Sequence, residues 1–207
     1  MPFKRGDHVC SIYSTTEELT REAATFLAEG LRSHERCWYV GNRRDVNLVR
    51  DALRTFGISV AAETKRGALQ LISGDGAYVV RGTFNPEATM QIFNDAIEQA
   101  YTDGFTGFRA AAEMSWALDC ADGAHQVIVY EALLKSLFTN CRAIGLCLYD
   151  RRRMPLEVIN GALDTHPYTV RSSGGDCCAN PFYDAAASRL SPANEAAVLA
   201  KLSRLDN

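Results

Sequence analysis

Short apolar segments alternate with longer segments of helical spacing along most of this chain. Residues 8–13 and 37–40 form the first two apolar segments, and each is followed by apolar residues at helical intervals. Strands that alternate with helices favour βαβ units, in which a mostly parallel sheet is covered on both faces. Parallel strands are buried on both sides, which explains why these segments are apolar throughout. We therefore predict an α/β fold with a mostly parallel central sheet.

The same patterns set the expected elements. Strands are predicted at residues 8–13, 37–40, 68–72, 108–114, 143–149 and 168–170. Helices are predicted at residues 16–31, 45–56, 86–101, 126–138, 156–163 and 192–205. The Gly-, Cys- and Ala-rich residues 171–187 are predicted to form a covering loop. We expect one main domain over residues 1–190 and a C-terminal helix over residues 191–207.

Polar and aromatic residues follow several predicted strands at their carboxyl ends. These ends lie at residues 12–14, 40–42, 113–115 and 149–151. Right-handed crossovers place the carboxyl ends of parallel strands on one rim of the sheet, and open α/β folds bind ligands there. The sequence thus predicts one binding hollow along one edge of the sheet.

Composition excludes several classes of protein. A chain of 207 residues with a net charge of −3 lacks the basic excess that nucleic-acid binding requires, so no direct nucleic-acid contact is expected. No signal peptide is recognisable, and no apolar window approaches the roughly 18 residues of a membrane span. The seven cysteines show no paired spacing. We expect a cytoplasmic protein with free thiols; Cys177 and Cys178 are either plain loop thiols or a redox or metal-capturing pair.

The first strand-to-helix junction is where a phosphate-binding loop would lie. Such loops need glycines and a lysine. Residues 13–18 contain neither, and they include Glu17 and Glu18, whose carboxylates would repel a phosphate. Nucleotide hydrolysis at this junction is therefore not expected.

His8 and Cys10 lie two apart on the first strand and so share a face. A metal there would need two further ligands, with His166 or Glu113 as candidates, and the spacing matches no zinc pattern. The prediction is no metal and no other cofactor. In that interpretation His8 binds a neighbouring carboxylate or backbone group, and Cys10 packs in the core.

Further polar residues leave functional and structural interpretations open. A buried Glu113 needs a partner, which Arg109 or His8 could supply. Glu131 either reaches the pocket from its helix or faces solvent. His166 is held in an extended loop by the proline that follows it.

Aromatic residues near the same edge are also open to two interpretations. Tyr13, Trp116 and Tyr149 form either an aromatic wall or ordinary core, and residues 180–183 form a lid or an interface. The sequence pairs no nucleophile with a base in a known motif, so we do not expect an enzyme.

Seven short motifs follow one another along the chain: GDHVCSIY at residues 6–13, GTFNP at 82–86, RAAAEMSW at 109–116, YE at 130–131, LCLYD at 146–150, THP at 165–167 and NPFY at 180–183. Taken in this order, they resemble the MEDS family, the methanogen/methylotroph sensory domain first described in a dichloromethane-responsive repressor. Each is weak alone, but their common order over residues 6–185 is specific.

The resemblance implies a RecA-like three-layer sandwich that lacks a phosphate loop, and a role in sensing hydrocarbon derivatives. It assigns ligand binding to ten residues: His8, Arg109, Glu113, Trp116, Tyr130, Glu131, Tyr149, Asp150, His166 and Tyr183. We add Tyr13 because it lies at the predicted sheet edge. Ala112 stands where the family pattern has glycine. The DNA-binding or kinase module often fused to such domains is not recognisable here.

The predicted function is a non-enzymatic sensor of a small organic molecule in signalling or transcriptional regulation. It would signal through a regulatory protein partner or a homo-oligomer, with no membrane contact. The alternatives are a degenerate RecA-like module for oligomerisation or partner binding, a residual nucleotide- or metal-binding protein, and an enzyme that uses Glu113 and His166 as acid and base.

Overall fold

The computed structural model describes residues 2–73, 79–80, 83–120, 123–140, 143–171, 176–185 and 195–206. The strands are β1 (His8–Tyr13), β2 (Arg36–Gly41), β3 (Leu69–Ser73), β4 (Val79–Val80), β5 (Thr83–Phe84), β6 (Phe108–Glu113), β7 (Ala143–Asp150), β8 (Tyr168–Val170) and β9 (Cys177–Ala179). The helices are α1 (Thr16–Arg32), α2 (Arg43–Thr55), α3 (Val60–Lys65), α4 (Pro86–Thr102), α5 (Gly123–Asn140), α6 (Leu156–Thr165) and α7 (Glu195–Leu205). A 3₁₀ helix spans Met114–Asp119.

The main sheet has seven strands in the order β3-β2-β6-β7-β1-β8-β9. Every neighbouring pair is parallel except β8 and β9, and β4 with β5 forms a separate antiparallel pair. This arrangement confirms the predicted α/β fold with its mostly parallel sheet.

Helices cover both faces of the sheet, and side chains alternate between the two faces. On β1, Val9 and Tyr13 pack in the core beneath α1, α2 and α3. Cys10 and Ile12 pack in the other core, beneath α4, α5, α6 and α7. Since successive strand residues point to opposite faces, the parity of a position decides which core it enters.

Helix starts are set by local capping. Thr15 and Glu18 form a reciprocal capping box at the start of α1. Asn42 and Asn85 cap α2 and α4 by accepting hydrogen bonds from the first-turn amides of these helices. Gly57, with φ of +76°, supplies the left-handed conformation just after α2.

Several elements depart from the sequence expectations, among them β4, β5 and the 3₁₀ helix, which were not predicted. The covering loop predicted at residues 171–187 contains β9, whose backbone pairs with β8 through Cys178 and Thr169. A three-residue edge strand is too short to show a pattern, so this part of the prediction was wrong. Helix α3 was not predicted because it buries only Val60. Predicted residues 172–175 and 186–194 lie outside the described ranges.

The C-terminal helix α7 packs against α6. It buries Val198, Leu202 and Leu205, and Lys201 Nζ lies 2.7 Å from Asp164 Oδ1. The division of the chain at residue 190 stays a prediction. Among the described residues, no helix combines the length and the apolar character of a membrane span.

Candidate functional site

Four buried polar side chains meet between the sheet and helices α5 and α6. They come from β1, α5, β7 and the end of α6, and we call them the buried polar cluster: His8, Glu131, Cys147 and His166. Nε2 of His8 lies 3.1 Å from Glu131 Oε2, and Nε2 of His166 lies 3.2 Å from the same oxygen. Cys147 Sγ lies 3.5 Å from His8 Nε2 and 3.8 Å from Glu131 Oε2. None of the four residues is more than 4% exposed.

The sheet register brings the two strand residues of the cluster together. β1 and β7 are parallel neighbours, with His8 opposite Gly145 and Cys10 opposite Cys147. His8 and Cys147 therefore lie on adjacent strands and project to the same face, toward α5. Glu131 comes down from α5, so the carboxylate meets both strand side chains.

The end of α6 positions His166. Its backbone N–H donates to Ala162 O, and its Nδ1 lies 2.8 Å from the same oxygen. From the segment after β9, the Asn180 side-chain amide donates to the carbonyls of Leu163 and His166 at 2.6 and 2.8 Å. These bonds fix both the backbone and the ring of His166 over the cluster.

Tyr149 completes the surroundings of Glu131. Its hydroxyl donates to Glu131 Oε1, the carboxylate oxygen that the histidines leave free. The His8 ring lies between two others, with its centroid 3.9 Å from that of His166 and 5.0 Å from that of Phe138. Glu131 thus has a polar neighbour at each oxygen inside an otherwise apolar core.

The pKa values of the cluster follow from burial and mutual contact. Burial and, to a lesser extent, the nearby His166 lower the pKa of His8 to about 4, against the opposing effect of Glu131. Burial alone would raise the pKa of Glu131, but the adjacent imidazoles outweigh it and hold this pKa below its ordinary value. Burial and the Glu131 charge raise the pKa of Tyr149. The cluster therefore contains a buried carboxylate beside a His8 ring that is neutral near pH 7.

An apolar void of about 10 Å³ adjoins the cluster. Its floor is made of small residues on β6 and β7, and its cover comes from α4 and α5; the lining includes Phe93, Ala110, Ala112, Met114, Tyr130, Leu134, Phe138, Gly145 and Cys147. A Cβ added to Gly145 would lie 2.4 Å from the Phe138 ring, so only glycine allows this close approach. Cys147 belongs to both the void and the cluster.

Other predicted site residues lie on the opposite face, at the carboxyl ends of the strands. The Tyr13 hydroxyl donates to Glu113 Oε1 at 3.0 Å, and the Ser115 amide donates to the same oxygen at 3.1 Å. Burial raises the pKa of Glu113, against the hydrogen bonds from Ser115 and Tyr13. Asp150 accepts from the Arg152 backbone N–H at 2.9 Å, within a turn.

Arg109 is not the partner of Glu113, and that expectation was wrong. Its Nε lies 2.6 Å from Glu35 Oε2, and Nη1 donates to Phe26 O at 2.9 Å. Arg109 and Glu113 share a face of β6, but they are four residue steps apart, so their Cα atoms are about 13 Å from each other. The two side chains therefore serve different neighbours.

The predicted aromatic residues pack with other rings. Trp116 lies with its ring centroid 4.2 Å from Phe84, and Tyr130 lies 5.2 Å from Phe84. Tyr183 is farther out, where Lys135 Nζ lies 5.2 Å from its ring centroid.

The single hollow at one sheet edge that we expected is not what the structure shows. The predicted residues divide by face: His8, Trp116, Tyr130, Glu131, Tyr149 and His166 on the α4–α7 side, and Tyr13, Arg109, Glu113 and Asp150 on the α1–α3 side. Strand parity is the reason, because positions 8 and 13 on β1 differ by an odd number. The ligand-binding role of all these residues stays a prediction.

Cys147 was missed as a polar site residue, since its apolar strand predicted only a core thiol. Its proximity to His8 depends on the pairing of β1 with β7, which links positions far apart in sequence. Cys10, the cysteine that the spacing singled out, lies on the same face but outside the cluster.

The amides at the start of α1 bind the chain itself. The backbone N–H groups of Ser14 and Thr15 donate to Glu18 Oε2 at 2.6 and 3.2 Å, and the Glu18 amide donates to Thr15 Oγ1 at 3.1 Å. A helix start of this kind is a ready anion site in many α/β proteins. Here an internal carboxylate occupies it.

Residues 7–167, which include the whole buried polar cluster, match the MEDS family, described as the methanogen/methylotroph, DcmR sensory domain. The chain belongs to the MEDS family. The family assignment indicates a sensing role for this MEDS domain and favours a protein that is not an enzyme.

Among solved structures, this MEDS domain is similar to the KaiC-like protein PH0186 from the hyperthermophilic archaeon Pyrococcus horikoshii OT3. The TM-score is 0.56 at 17% identity, over 81% of this chain and 72% of that chain. At this identity the likeness concerns the fold, and it confirms the RecA-like α/β sandwich. No curated protein matches the sequence at a significant level.

Glu22 on α1 is a further buried acid that the sequence did not single out. It accepts a hydrogen bond from the Ser11 hydroxyl, and Arg21 Nη2 lies 3.6 Å from its other oxygen. Burial raises its pKa to about 7, against the lowering effects of Ser11 and Arg21.

Glu22 is expected to make stability fall as pH rises. The folded state keeps a proton that the unfolded state releases near pH 4.5, so stability is lost between that pH and about 7. Glu22→Gln should reduce this loss by about 3 kcal/mol between about pH 5 and about pH 8, measured by denaturant unfolding. Exposed Glu98→Gln is the control. An unchanged pH dependence in Glu22→Gln would contradict the assignment.

Proposed function

We propose that this MEDS domain is a non-enzymatic sensor that binds a small, weakly polar organic molecule between the sheet and helices α4 and α5. The observation that carries the proposal is the double position of Cys147, which lines the apolar void and also contacts His8 and Glu131. An apolar wall that ends at a polar group suits a hydrocarbon derivative with one polar substituent.

The size of the void indicates how a ligand would act. About 10 Å³ is close to the lower limit for one water molecule, so an organic ligand must displace side chains. Tyr130, Leu134 and Phe138 cover the void from α5, and they are the groups that would move. Binding would therefore favour a conformation in which α5 is shifted from the sheet.

The same helix offers a route to the surface. Glu131 faces inward at 0% exposure, whereas Val129 and Leu133 are 38% and 36% exposed. A shift of α5 would change this exposed apolar surface, which a regulatory protein or a second copy of the chain could recognise. Such an output fits signalling or transcriptional regulation.

The contacts of Glu131 favour binding over catalysis. Tyr149 binds one of its oxygens, and both histidines lie near the other. Glu113, the other candidate acid, is bound by Tyr13 and Ser115 on the opposite face, away from His166. An acid–base pair of Glu113 and His166 is therefore not assembled.

A thermal-shift screen tests the proposal. Short-chain halocarbons and alcohols should raise the melting temperature of the wild type by several degrees, because about 100-fold excess over Kd adds about 2.7 kcal/mol. Ala112→Val fills the void and should abolish the shift. Ala111→Val, on the same strand but the opposite face, should retain it.

Three results would contradict the sensor proposal. A response only to ATP with magnesium would favour a residual nucleotide-binding role. Equal ligand shifts in both alanine variants would place binding elsewhere. A protein that gives no shift but self-associates would favour the degenerate oligomerisation module.

A further inference from the structure

The spacing of the buried polar cluster is close to that of a four-coordinate metal site. Its four ligand atoms all lie within 4.8 Å of one another. Tetrahedral zinc, with bonds of about 2.1 Å to N or O and about 2.3 Å to S, separates its ligands by about 3.4 Å, or about 3.6 Å where sulfur is involved. The histidine Nε2 atoms lie 3.1 and 3.2 Å from Glu131 Oε2, and Cys147 Sγ lies 3.5 Å from His8 Nε2 and 3.8 Å from Glu131 Oε2. The other two pairs, from His166 Nε2 to His8 Nε2 and to Cys147 Sγ, are at most 4.8 Å apart, so the donors would close by up to about 1 Å around a metal.

The hydrogen bonding of His166 leaves one nitrogen for a metal. Ala162 O can only accept, so Nδ1, at 2.8 Å, carries hydrogen and donates to it. In a neutral ring, Nε2 then has a free lone pair. That buried atom lies 3.2 Å from Glu131 Oε2 without hydrogen-bond geometry, so in this neutral tautomer two acceptors face each other. A cation between them removes this repulsion.

The charges of the donor set also balance. Glu131 and a Cys147 thiolate bring two negative charges, and two imidazoles bring none. A divalent cation makes the assembly neutral, which suits a site that is at most 4% exposed. Imidazole and thiolate together with one carboxylate favour zinc-class transition metals over magnesium or calcium.

Outer contacts orient the donors as in known metal sites. Ala162 O holds the His166 ring, and the Tyr149 hydroxyl binds the Glu131 oxygen that faces away from the cluster. Backbone carbonyls and hydroxyls of this kind set ligand tautomer and direction.

We infer that His8, Glu131, Cys147 and His166 form a four-coordinate site for a divalent transition metal of the zinc class. The inference goes beyond the sensing proposal and does not depend on it. Because the site is buried, the metal enters as the chain folds and adds to its stability.

The full-length protein, purified without chelators, should contain about one zinc-class ion per chain by elemental analysis. After unfolding with a chelator and refolding with Co²⁺, it should show visible bands of four-coordinate cobalt and a thiolate-to-cobalt charge-transfer band. Cys147→Ser should lose the charge-transfer band, and His166→Gln should bind Co²⁺ at least about 100-fold more weakly. Cys37→Ser, a buried thiol on the opposite face, should match the wild type.

The wild-type measurements decide the matter even if a variant does not fold. A folded wild type that holds no metal and gives no cobalt bands on refolding would overturn the inference and leave an ion pair of His166 and Glu131. Equal loss of the charge-transfer band in Cys37→Ser and Cys147→Ser would also overturn it. Metal content is measured without any organic ligand. A failure of the metal inference can therefore be told apart from a failure of the sensor proposal, which the thermal-shift screen tests.

Discussion

Glu131→Gln is expected to lower the free energy of unfolding by about 3–5 kcal/mol, which corresponds to a fall in melting temperature of about 10 °C. The carboxylate is fully buried, and Tyr149, His8 and Cys147 all direct polar atoms at it. An amide keeps the shape of the side chain but places an NH₂ group against some of these partners, and it removes the negative charge.

Denaturant unfolding followed by circular dichroism measures this change, with exposed Glu98→Gln as the matched control. The control should stay within about 0.5 kcal/mol of the wild type. Tyr149→Phe, which removes one of the bonds to Glu131, should have a smaller effect of about 1–2 kcal/mol. A stability of Glu131→Gln equal to that of the control would show that the cluster does not stabilise the core.

Arg109→Ala is expected to destabilise the other core by a similar amount, about 3–5 kcal/mol. The guanidinium is 5% exposed, and its Nε lies 2.6 Å from Glu35 Oε2. It also donates to Phe26 O at 2.9 Å and lies 4.8 Å from the centre of the Phe26 ring. Alanine leaves the Glu35 carboxylate buried without its cation and opens a cavity under α1.

A double-mutant cycle separates charge from packing. Arg109→Met with Glu35→Leu removes both charges and keeps most of the volume, so the double variant should be clearly more stable than Arg109→Ala. Urea unfolding of the wild type, Arg109→Met, Glu35→Leu and the double variant gives the coupling energy between the two side chains. If Arg109→Ala cost less than about 1 kcal/mol, the ion pair would contribute no more than a typical exposed pair.

The fold was largely predictable because its signals are local. The capping box at Thr15 and Glu18, the caps at Asn42 and Asn85, and the apolar strands are each set by neighbouring residues. These signals locate each element without reference to the rest of the chain. What they miss is β9, a short edge strand that forms only because β8 is beside it.

For the candidate site, the sequence predicted most of the residues but not how they are arranged. His8, Glu131, Tyr149 and His166 were all expected to serve one site, and they do lie together. Glu113 was expected among them and lies on the opposite face. Which residues meet depends on strand parity and strand order, and the order β7-β1-β8 cannot be derived from local periodicity.

The carboxylate of Glu18 occupies the amino end of α1 in this domain. Because this anion is part of the chain, it meets the amides at a high effective concentration and competes with any free phosphate. A ligand of this domain is therefore expected on the other side of the sheet. The floor of the void on that side is formed by Ala110, Ala112 and Gly145. Gain or loss of a single methyl group there would change the shape of the space open to a ligand.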